Sequence, residues 1–297
     1  MKTPPLVLAA LFAVIATPAF ALPSVNGTLA GDSYGPAASV QAVETGFGDN
    51  FSELDAAYCT IEGGRLYLML TGNLESNFNK LEIFIDSKAG GENVLTAMPG
   101  NDGTSFKLLG FTFDPGFTAD YHLIARRGNF GGDRFDLDFA QLGTPNCSSY
   151  GDVFAGASEG SGATGTGINA QPIEVAFNNS NVAGVAGGNA AANQNDALAV
   201  QTGLELSIDL ADLDYSGSDI RVCVFVNGSG HDYASNQFLG PLAPPQGNLG
   251  GDGAGGYNGT LALLNLGNFA GNQFFSCSGQ PVPAERSTWG RIKTIHR

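Results

Sequence analysis

Acid–base chemistry in this chain would depend on three histidines: His122, His231 and His296. His231 precedes Asp232 in the short run 230–233, so an acid and a base are neighbours in sequence. Adjacent side chains rarely point into one site, and a general base must lie within hydrogen-bond reach of the proton that it takes. We therefore predict that His231 lies on the surface of a polar loop and that the chain is not an enzyme, with no catalytic residues.

A nucleophile for hydrolysis is equally hard to find. The triplet Gly228-Ser229-Gly230 is shorter than the G-x-S-x-G turn that exposes a catalytic serine. Two carboxylates could cleave a glycosidic bond, but 28 aspartates and glutamates offer many accidental pairs. A hydrolase is therefore the third hypothesis, behind two kinds of binding protein.

Oxygen-rich clusters make calcium the one cofactor that the sequence suggests. Asp49 and Asn50 form one cluster, and Asp133, Asp136 and Asp138 form another. Calcium prefers hard oxygen ligands of this kind, although no EF-hand loop is present. Carboxylates that alternate along a strand more often form its solvated face, which is the competing interpretation for the second cluster.

The four cysteines, Cys59, Cys147, Cys223 and Cys277, are widely spaced, without the C-x-x-C pattern of a zinc or redox site. In an exported protein an even number of cysteines favours disulfides, here two. Three connectivities are open. The alternative is that Cys59 and Cys223, both inside strand-like runs, are simply buried small apolar residues.

The elements that must carry these groups are short strands with period-two alternation. Three runs each place a row of apolar residues on one face: Leu81, Ile83 and Ile85; Phe135, Leu137 and Phe139; Leu204, Leu206 and Ile208. Further strands are predicted at residues 56–61, 65–71, 106–113, 121–125 and 220–226. The first two form a hairpin around the Gly63–Gly64 turn, because glycines supply the positive φ that tight turns need.

Glycine-rich segments separate these strands, at residues 156–167, 178–196 and 241–257. Helical periodicity is almost absent, and 43 of 297 residues are glycine. Many short strands with such turns are typical of sandwiches and jelly rolls. We predict an all-β fold, a single β-sandwich or jelly roll, with the long glycine-rich loops at one end.

The strand order resembles the opening of family 9 carbohydrate-binding modules and DOMON-like sandwiches. The matching segments are 25–29, Tyr34, 64–68 and 81–86, and later 204–209 and 220–226. Asn26 stands where those domains have aspartate, and Tyr34 where tryptophan is common. The resemblance implies a β-sandwich that binds sugars through aromatic contacts or haem through Met and His, and neither set maps onto residues here. Runs 70–75 and 271–275 also resemble uncharacterised secreted bacterial proteins, which implies export.

The two ends of the chain differ from its middle. Residues 1–21 have a positive start, a short apolar run and an Ala-Phe-Ala end, which predicts a signal peptide cleaved before Leu22. Residues 22–280 would form the β domain. The tail, 281–297, carries four of the 13 Lys and Arg. It is predicted to be a sorting segment that contacts export machinery or a membrane surface. The alternatives are a short amphipathic helix docked on the acidic body and a frayed tail.

Net charge excludes one class of partner. With 13 basic and 28 acidic residues, the chain would repel nucleic acid. We predict a secreted, non-catalytic cell-surface or extracellular-matrix protein that acts by binding or assembly, with extracellular polysaccharide or other surface proteins as partners and a homo-oligomer as one form. The alternative is a carbohydrate-binding module, whose groove would be lined by exposed aromatic residues such as Tyr34, Tyr121, Tyr150, Tyr233 or Tyr257.

Overall fold

Alternating apolar residues fold the chain into two antiparallel sheets that pack as a β-sandwich, which confirms the predicted fold class. The structure, a computed structural model, describes residues 21–156, 158–217 and 219–279. The predicted signal peptide, apart from Ala21, and the predicted basic tail lie outside the described residues. No helix in the described ranges is long and apolar enough to cross a membrane.

Thirteen strands and one short α-helix make up the described fold. In chain order they are β1 Ser39–Val40, β2 Glu53–Glu62, β3 Arg65–Asn73, β4 Lys80–Asp86, β5 Tyr121–Asn129, β6 Asp133–Gln141, β7 Cys147–Phe154, β8 Glu159–Ala163, β9 Glu174–Asn178, α1 Gln194–Ala199, β10 Gly203–Asp209, β11 Ile220–Asn227, β12 Ala234–Leu239 and β13 Phe275–Cys277. Two 3₁₀ turns, Ser105–Leu108 and Leu266–Asn268, lie in the connections.

The first sheet has the strand order β1-β2-β3-β10-β9-β8. The second has the order β12-β11-β4-β5-β6-β7, with β13 also paired to β11. The predicted hairpin is confirmed as β2 and β3, where Gly63 and Gly64 adopt φ of 59° and 80°. The sheets approach each other along both sides, where β12 contacts β2 and β7 contacts β8.

The apolar rows predicted from alternation fill the space between the sheets. The second sheet contributes the rows of β4 and β6, and the first sheet the row of β10. All nine residues of these rows are buried: Leu81, Ile83, Ile85, Phe135, Leu137, Phe139, Leu204, Leu206 and Ile208. Strand β11 is also buried on both faces except at Arg221, as its apolar sequence predicts.

A second apolar core lies on the opposite face of the second sheet. There Phe84, Phe225 and Phe238 pack against residues of the connections 87–120 and 240–274. The connections supply Leu95, Leu108, Phe111, Phe113, Phe117, Leu242, Leu249, Leu261, Leu264 and Leu266. The connection that contains the predicted loop 241–257 therefore covers a face of the sandwich, together with the connection 87–120, rather than extending from one end. The second sheet is the middle of three layers.

Two sequence predictions about the connections are wrong. The run 106–113 is not a strand: it begins in a 3₁₀ turn, and Gly110 then takes φ 92°. This path lets Leu108, Phe111 and Phe113 all point into the second core. The segment 156–167 is not only loop, because strand β8 forms within it.

The outer face of the first sheet is covered by the segment that precedes β1. Tyr34 packs against Tyr58, Tyr67 and Met69, and its hydroxyl donates to Glu205 Oε1 at 2.7 Å. Glu205 also accepts the backbone N–H groups of residues 26 and 27. Burial of the polar side chains is offset by these bonds, so Tyr34 is chiefly a structural residue.

A single disulfide, between Cys59 on β2 and Cys277 on β13, ties the two sheets together. Cys147 and Cys223 are free, so the prediction of two disulfides is wrong. Both free cysteines lie in one register row of the second sheet, four strands apart. Four spacings amount to about 19 Å, whereas a disulfide needs Cα atoms within about 7 Å.

Candidate functional site

Charged side chains form a ladder on the outer face of the second sheet, at the border of the loop layer. Asn227, Lys80, Arg126 and Asp136 face each other across β11, β4, β5 and β6 in one register row. The next row inward places Glu82 on β4 and Asp138 on β6. These residues alternate with the apolar rows of the inner core, so period two puts them all on this one face.

Arg126 is the centre of the ladder. Its guanidinium binds Asp138, lies 3.3 Å from Asp102 and 3.6 Å from Asp136. Arg134 adds a second bond to Asp136, at 2.7 Å. A guanidinium holds carboxylates in fixed planes, so these five groups form a rigid, pre-arranged network.

Beneath the ladder lies a buried chain of two histidines and a carboxylate. Glu82 is fully buried, and its Oε2 lies 2.8 Å from His122 Nε2, while its Oε1 lies 2.5 Å from His231 Nδ1. The other ring nitrogen of His231, Nε2, lies 2.8 Å from Asp102 Oδ2. Asn227 donates to Glu82 Oε1 at 2.9 Å. Asp102 is also bound by Lys80, so the chain reaches the surface there.

Electrostatics in this region keep the carboxylates charged. Burial alone would raise the pKa of Glu82, but the charges and hydrogen bonds of His231 and His122 hold it well below its usual value. For Asp102, burial is likewise outweighed by the hydrogen bond of His231 and by Lys80 and Arg126, which lower its pKa to about 2. Glu82 and Asp102 are therefore carboxylates at neutral pH.

An open cleft of about 520 Å³ lies over this network. Two phenylalanines flank it. Phe130, at the tip of the β5–β6 hairpin, is 81% exposed, and Phe78 lies over Gly128, where a Cβ would collide with its ring. The remaining lining residues are polar: Lys80, Asp102, Arg126, Arg134, Asp136 and Ser229. Its volume is that of an ordinary small-ligand site.

The histidine prediction is wrong. His231 does not lie on the surface but is fully buried, with a left-handed φ of 56° that turns its ring under the loop. Its neighbour Asp232 takes no part in this chain and instead binds Lys107 Nζ at 2.7 Å and Tyr257 OH at 3.2 Å. The two adjacent residues thus point into different contacts, as the sequence argument held.

The calcium prediction for the β6 cluster is not supported. Asp136 and Asp138 bind arginines and are buried, so neither forms a solvated face. Asp133 accepts a bond from Asn129 at the hairpin end, and the side chains of Asp49 and Asn50 bond each other. Within the described residues, no three or more His, Cys, Asp or Glu side chains form a group that could hold a metal ion.

The tyrosines named as groove candidates are mostly structural. Tyr34 and Tyr121 are buried, and Tyr150 and Tyr233 are half-buried. Tyr257 is 69% exposed but is not a lining residue of the cleft. The aromatic residues of the cleft are phenylalanines that the sequence did not single out.

Sequence reasoning missed Lys80, Glu82, Arg126 and Arg134 because polar residues on alternate strand positions were taken to face solvent. One signal was present: the chain has only 13 Lys and Arg. Three of them lie on three strands that are neighbours in this sheet. Asp102 could not have been found from strand patterns, because it lies in the connection 87–120 and not on a strand.

Two buried acids outside the ladder predict how the free energy of unfolding depends on pH. Glu53 and Asp55 are buried and, among the described residues, form no ion pair. Burial raises the pKa of Glu53 to about 7, and burial together with the Glu53 charge raises that of Asp55 to about 8.

Both values lie above those of unfolded acids, about 4. The folded state therefore binds more protons between about pH 4 and 8, and the free energy of unfolding should fall as pH rises through that window. Urea denaturation at several pH values measures this. Asp55→Asn should flatten the dependence, and an equally steep slope in that variant would contradict the assignment.

No family model, no curated protein and no solved structure matches the chain. The site therefore has to be interpreted from its own geometry.

Proposed function

We propose that this is an exported, non-catalytic protein of the cell surface or extracellular matrix that acts by binding, and that its ligand is an extracellular polysaccharide held in the cleft. The observation that carries the proposal is the pairing of an exposed aromatic ring, Phe130, with a rigid ionic floor. The disulfide and the leader-like first 21 residues favour an oxidising compartment outside the cell.

A saccharide matches both parts of the cleft. The C–H faces of a pyranose ring are apolar and pack on aromatic rings such as Phe130 and Phe78. Its hydroxyl groups donate and accept hydrogen bonds, and they meet guanidinium and carboxylate groups of Arg134, Asp136 and Asp102 that are already fixed by one another. Fixed polar groups bind without the cost of ordering them.

The charge balance of the floor favours a neutral polymer. Lys80, Arg126 and Arg134 are matched by carboxylates within hydrogen-bond or ion-pair distance. An acidic ligand would have to compete with these carboxylates for the same donors. Binding of a neutral glycan should accordingly change little with salt, because no net charge is neutralised.

A binding role is favoured over hydrolysis because the acid–base groups are engaged. Both ring nitrogens of His231 contact carboxylates, so the ring presents no free nitrogen to a substrate. Asp102 and Asp136 are each held by an arginine, whereas glycoside hydrolysis needs one carboxyl that is protonated and one that is free.

Phe130→Ala tests the proposal. Affinity electrophoresis in gels that contain soluble neutral glucans, xylans or mannans should show retardation of the native protein. The variant should bind at least about tenfold more weakly, since truncating a central aromatic contact costs about 1.4 kcal/mol or more.

The matched control is Phe51→Ala, which removes a phenylalanine that is 56% exposed at a different depression. It should bind as the native protein does. The proposal fails if no polysaccharide is retained or if the two variants are alike, and release of reducing ends from the polymer would refute the non-catalytic assignment.

A further inference from the structure

His231 has an acidic group at each ring nitrogen. Nδ1 lies 2.5 Å from Glu82 Oε1 and Nε2 lies 2.8 Å from Asp102 Oδ2. A neutral imidazole carries one N–H and one lone pair. With the neutral ring, one of these contacts would join a lone pair to a carboxylate oxygen, which is repulsive. The two carboxylates therefore favour the doubly protonated ring, an imidazolium buried under the cleft, because only that form donates to both of them.

The groups that face this ring come from every element around it. Strand β4 supplies Glu82 and Lys80, whose Nζ lies 3.2 Å from Nε2. The connection before β5 supplies Asp102, and β11 supplies Asn227 through Glu82. Strand β5 acts through two residues that do not touch the ring: His122 binds Glu82, and Arg126 binds Asp102. Asp232, the next residue, binds Lys107.

These surrounding charges determine the direction in which the pKa of His231 is shifted. Burial lowers the pKa of His231 and Lys80 lowers it further, but the charge of Glu82 and the hydrogen bonds to Asp102 and Glu82 outweigh them and raise it. The proton that leaves first is the one on Nε2. Asp102 keeps two other cations, Lys80 and Arg126, whereas Glu82 is fully buried and depends on its ring donors.

We propose that protonation of His231 gates the cleft: the imidazolium helps to fix Asp102 in the floor so that the ligand binds, and loss of the Nε2 proton loosens Asp102 and weakens binding. Asp102 is the point of transmission, because it is both a lining residue and a direct partner of the ring. Once Nε2 carries a lone pair, that lone pair faces Asp102 Oδ2 and repels it, so Asp102 loses one of its three cationic partners and is held by Lys80 and Arg126 alone. The inference rests on the proposed function in that the released ligand is the polysaccharide of this cleft.

The raised pKa of His231 sets the direction in which ligand binding changes with pH. The raised pKa of His231 means that the imidazolium persists to a higher pH than in an ordinary histidine. Ligand binding should therefore be strong from about pH 5 to neutrality and weaken as pH rises, which is the opposite of a histidine that must be neutral to act.

Nitrogen NMR of the ligand-free protein tests the protonation directly. We expect both ring nitrogens of His231 to be protonated at about pH 7, with one transition at higher pH. A neutral ring at about pH 7 would overturn the gating whether or not any polysaccharide binds. Because no ligand is present, this measurement separates the fate of the gate from that of the proposed function.

The gating itself is tested with the retained glucan of the electrophoresis assay. Native protein should bind it at least tenfold more weakly at about pH 10 than at about pH 6, with folding followed by circular dichroism at each pH. His231→Gln should bind weakly at both, because an amide cannot give a donor to both carboxylates. His122→Gln is the control, since His122 bonds Glu82 but not Asp102, and it should keep the native pH dependence. Retention of that dependence in His231→Gln would refute the proposal.

Discussion

Replacing Cys59 by serine is expected to lower the free energy of unfolding by about 4–5 kcal/mol. The disulfide links residues that are 218 positions apart and so closes most of the described chain into one loop. Cross-linking such a long loop removes much of the entropy of the unfolded chain, which places the effect near the top of the usual range. Urea denaturation of oxidised native protein and of the variant measures the difference.

Cys147→Ser is the matched control, because it removes a free, half-buried thiol from β7. It should change the free energy of unfolding by less than about 1 kcal/mol. Reducing the native protein with dithiothreitol should reproduce the loss seen in Cys59→Ser. If reduction and both variants gave equal, small changes, the covalent link between the sheets would have no role in stability.

Arg126→Leu should destabilise the fold by about 3–5 kcal/mol at neutral pH. Asp138 is fully buried, and the guanidinium is its ion-pair partner among the described residues. Removing one member of a buried pair leaves the other charge without compensation, which is the costly case. Chemical denaturation of the variant at about pH 7 checks the value.

Adding Asp138→Leu to that variant should recover about half of the loss, since an apolar replacement of both partners is tolerated far better than a broken pair. Recovery is partial because Arg126 also binds Asp102 and Asp136. Arg221→Leu serves as the control: Arg221 is half-exposed and lies 3.5 Å from Asp86, so its loss should cost at most about 1 kcal/mol. A double variant as unstable as Arg126→Leu alone would show that Asp138 is not the uncompensated charge that destabilises the single variant.

The inner core could be predicted from the sequence because its signal is local. Leu81, Ile83 and Ile85 alternate with polar neighbours, and the same rule located the buried faces of β6 and β10. The hairpin between β2 and β3 was equally accessible from its glycine pair. Nothing beyond residue type and a period of two was needed for these elements.

The candidate site was not predictable from the same alternation. The pattern identifies which residues share a face of the sheet, but not whether that face is exposed to solvent or covered. Glu82, Asp136 and Asp138 occupy the face that a two-layer sandwich exposes, yet all three are buried here. Burial depends on connections such as 87–120, whose path across the sheet carries no periodic signal. His231 was misjudged for the same reason: its polar loop folds beneath that layer.

The third layer restricts how the ladder can change during evolution. The charged groups of the ladder cannot be replaced one at a time, because each lies between the sheet and a partner of opposite charge. A substitution at one position would leave a buried charge without its partner. Arg126 and Asp138 should therefore be conserved together or replaced together. Related proteins should either retain all the charged residues of the ladder or replace all of them with apolar residues. Only those that retain the charged residues could keep the polar floor of the cleft.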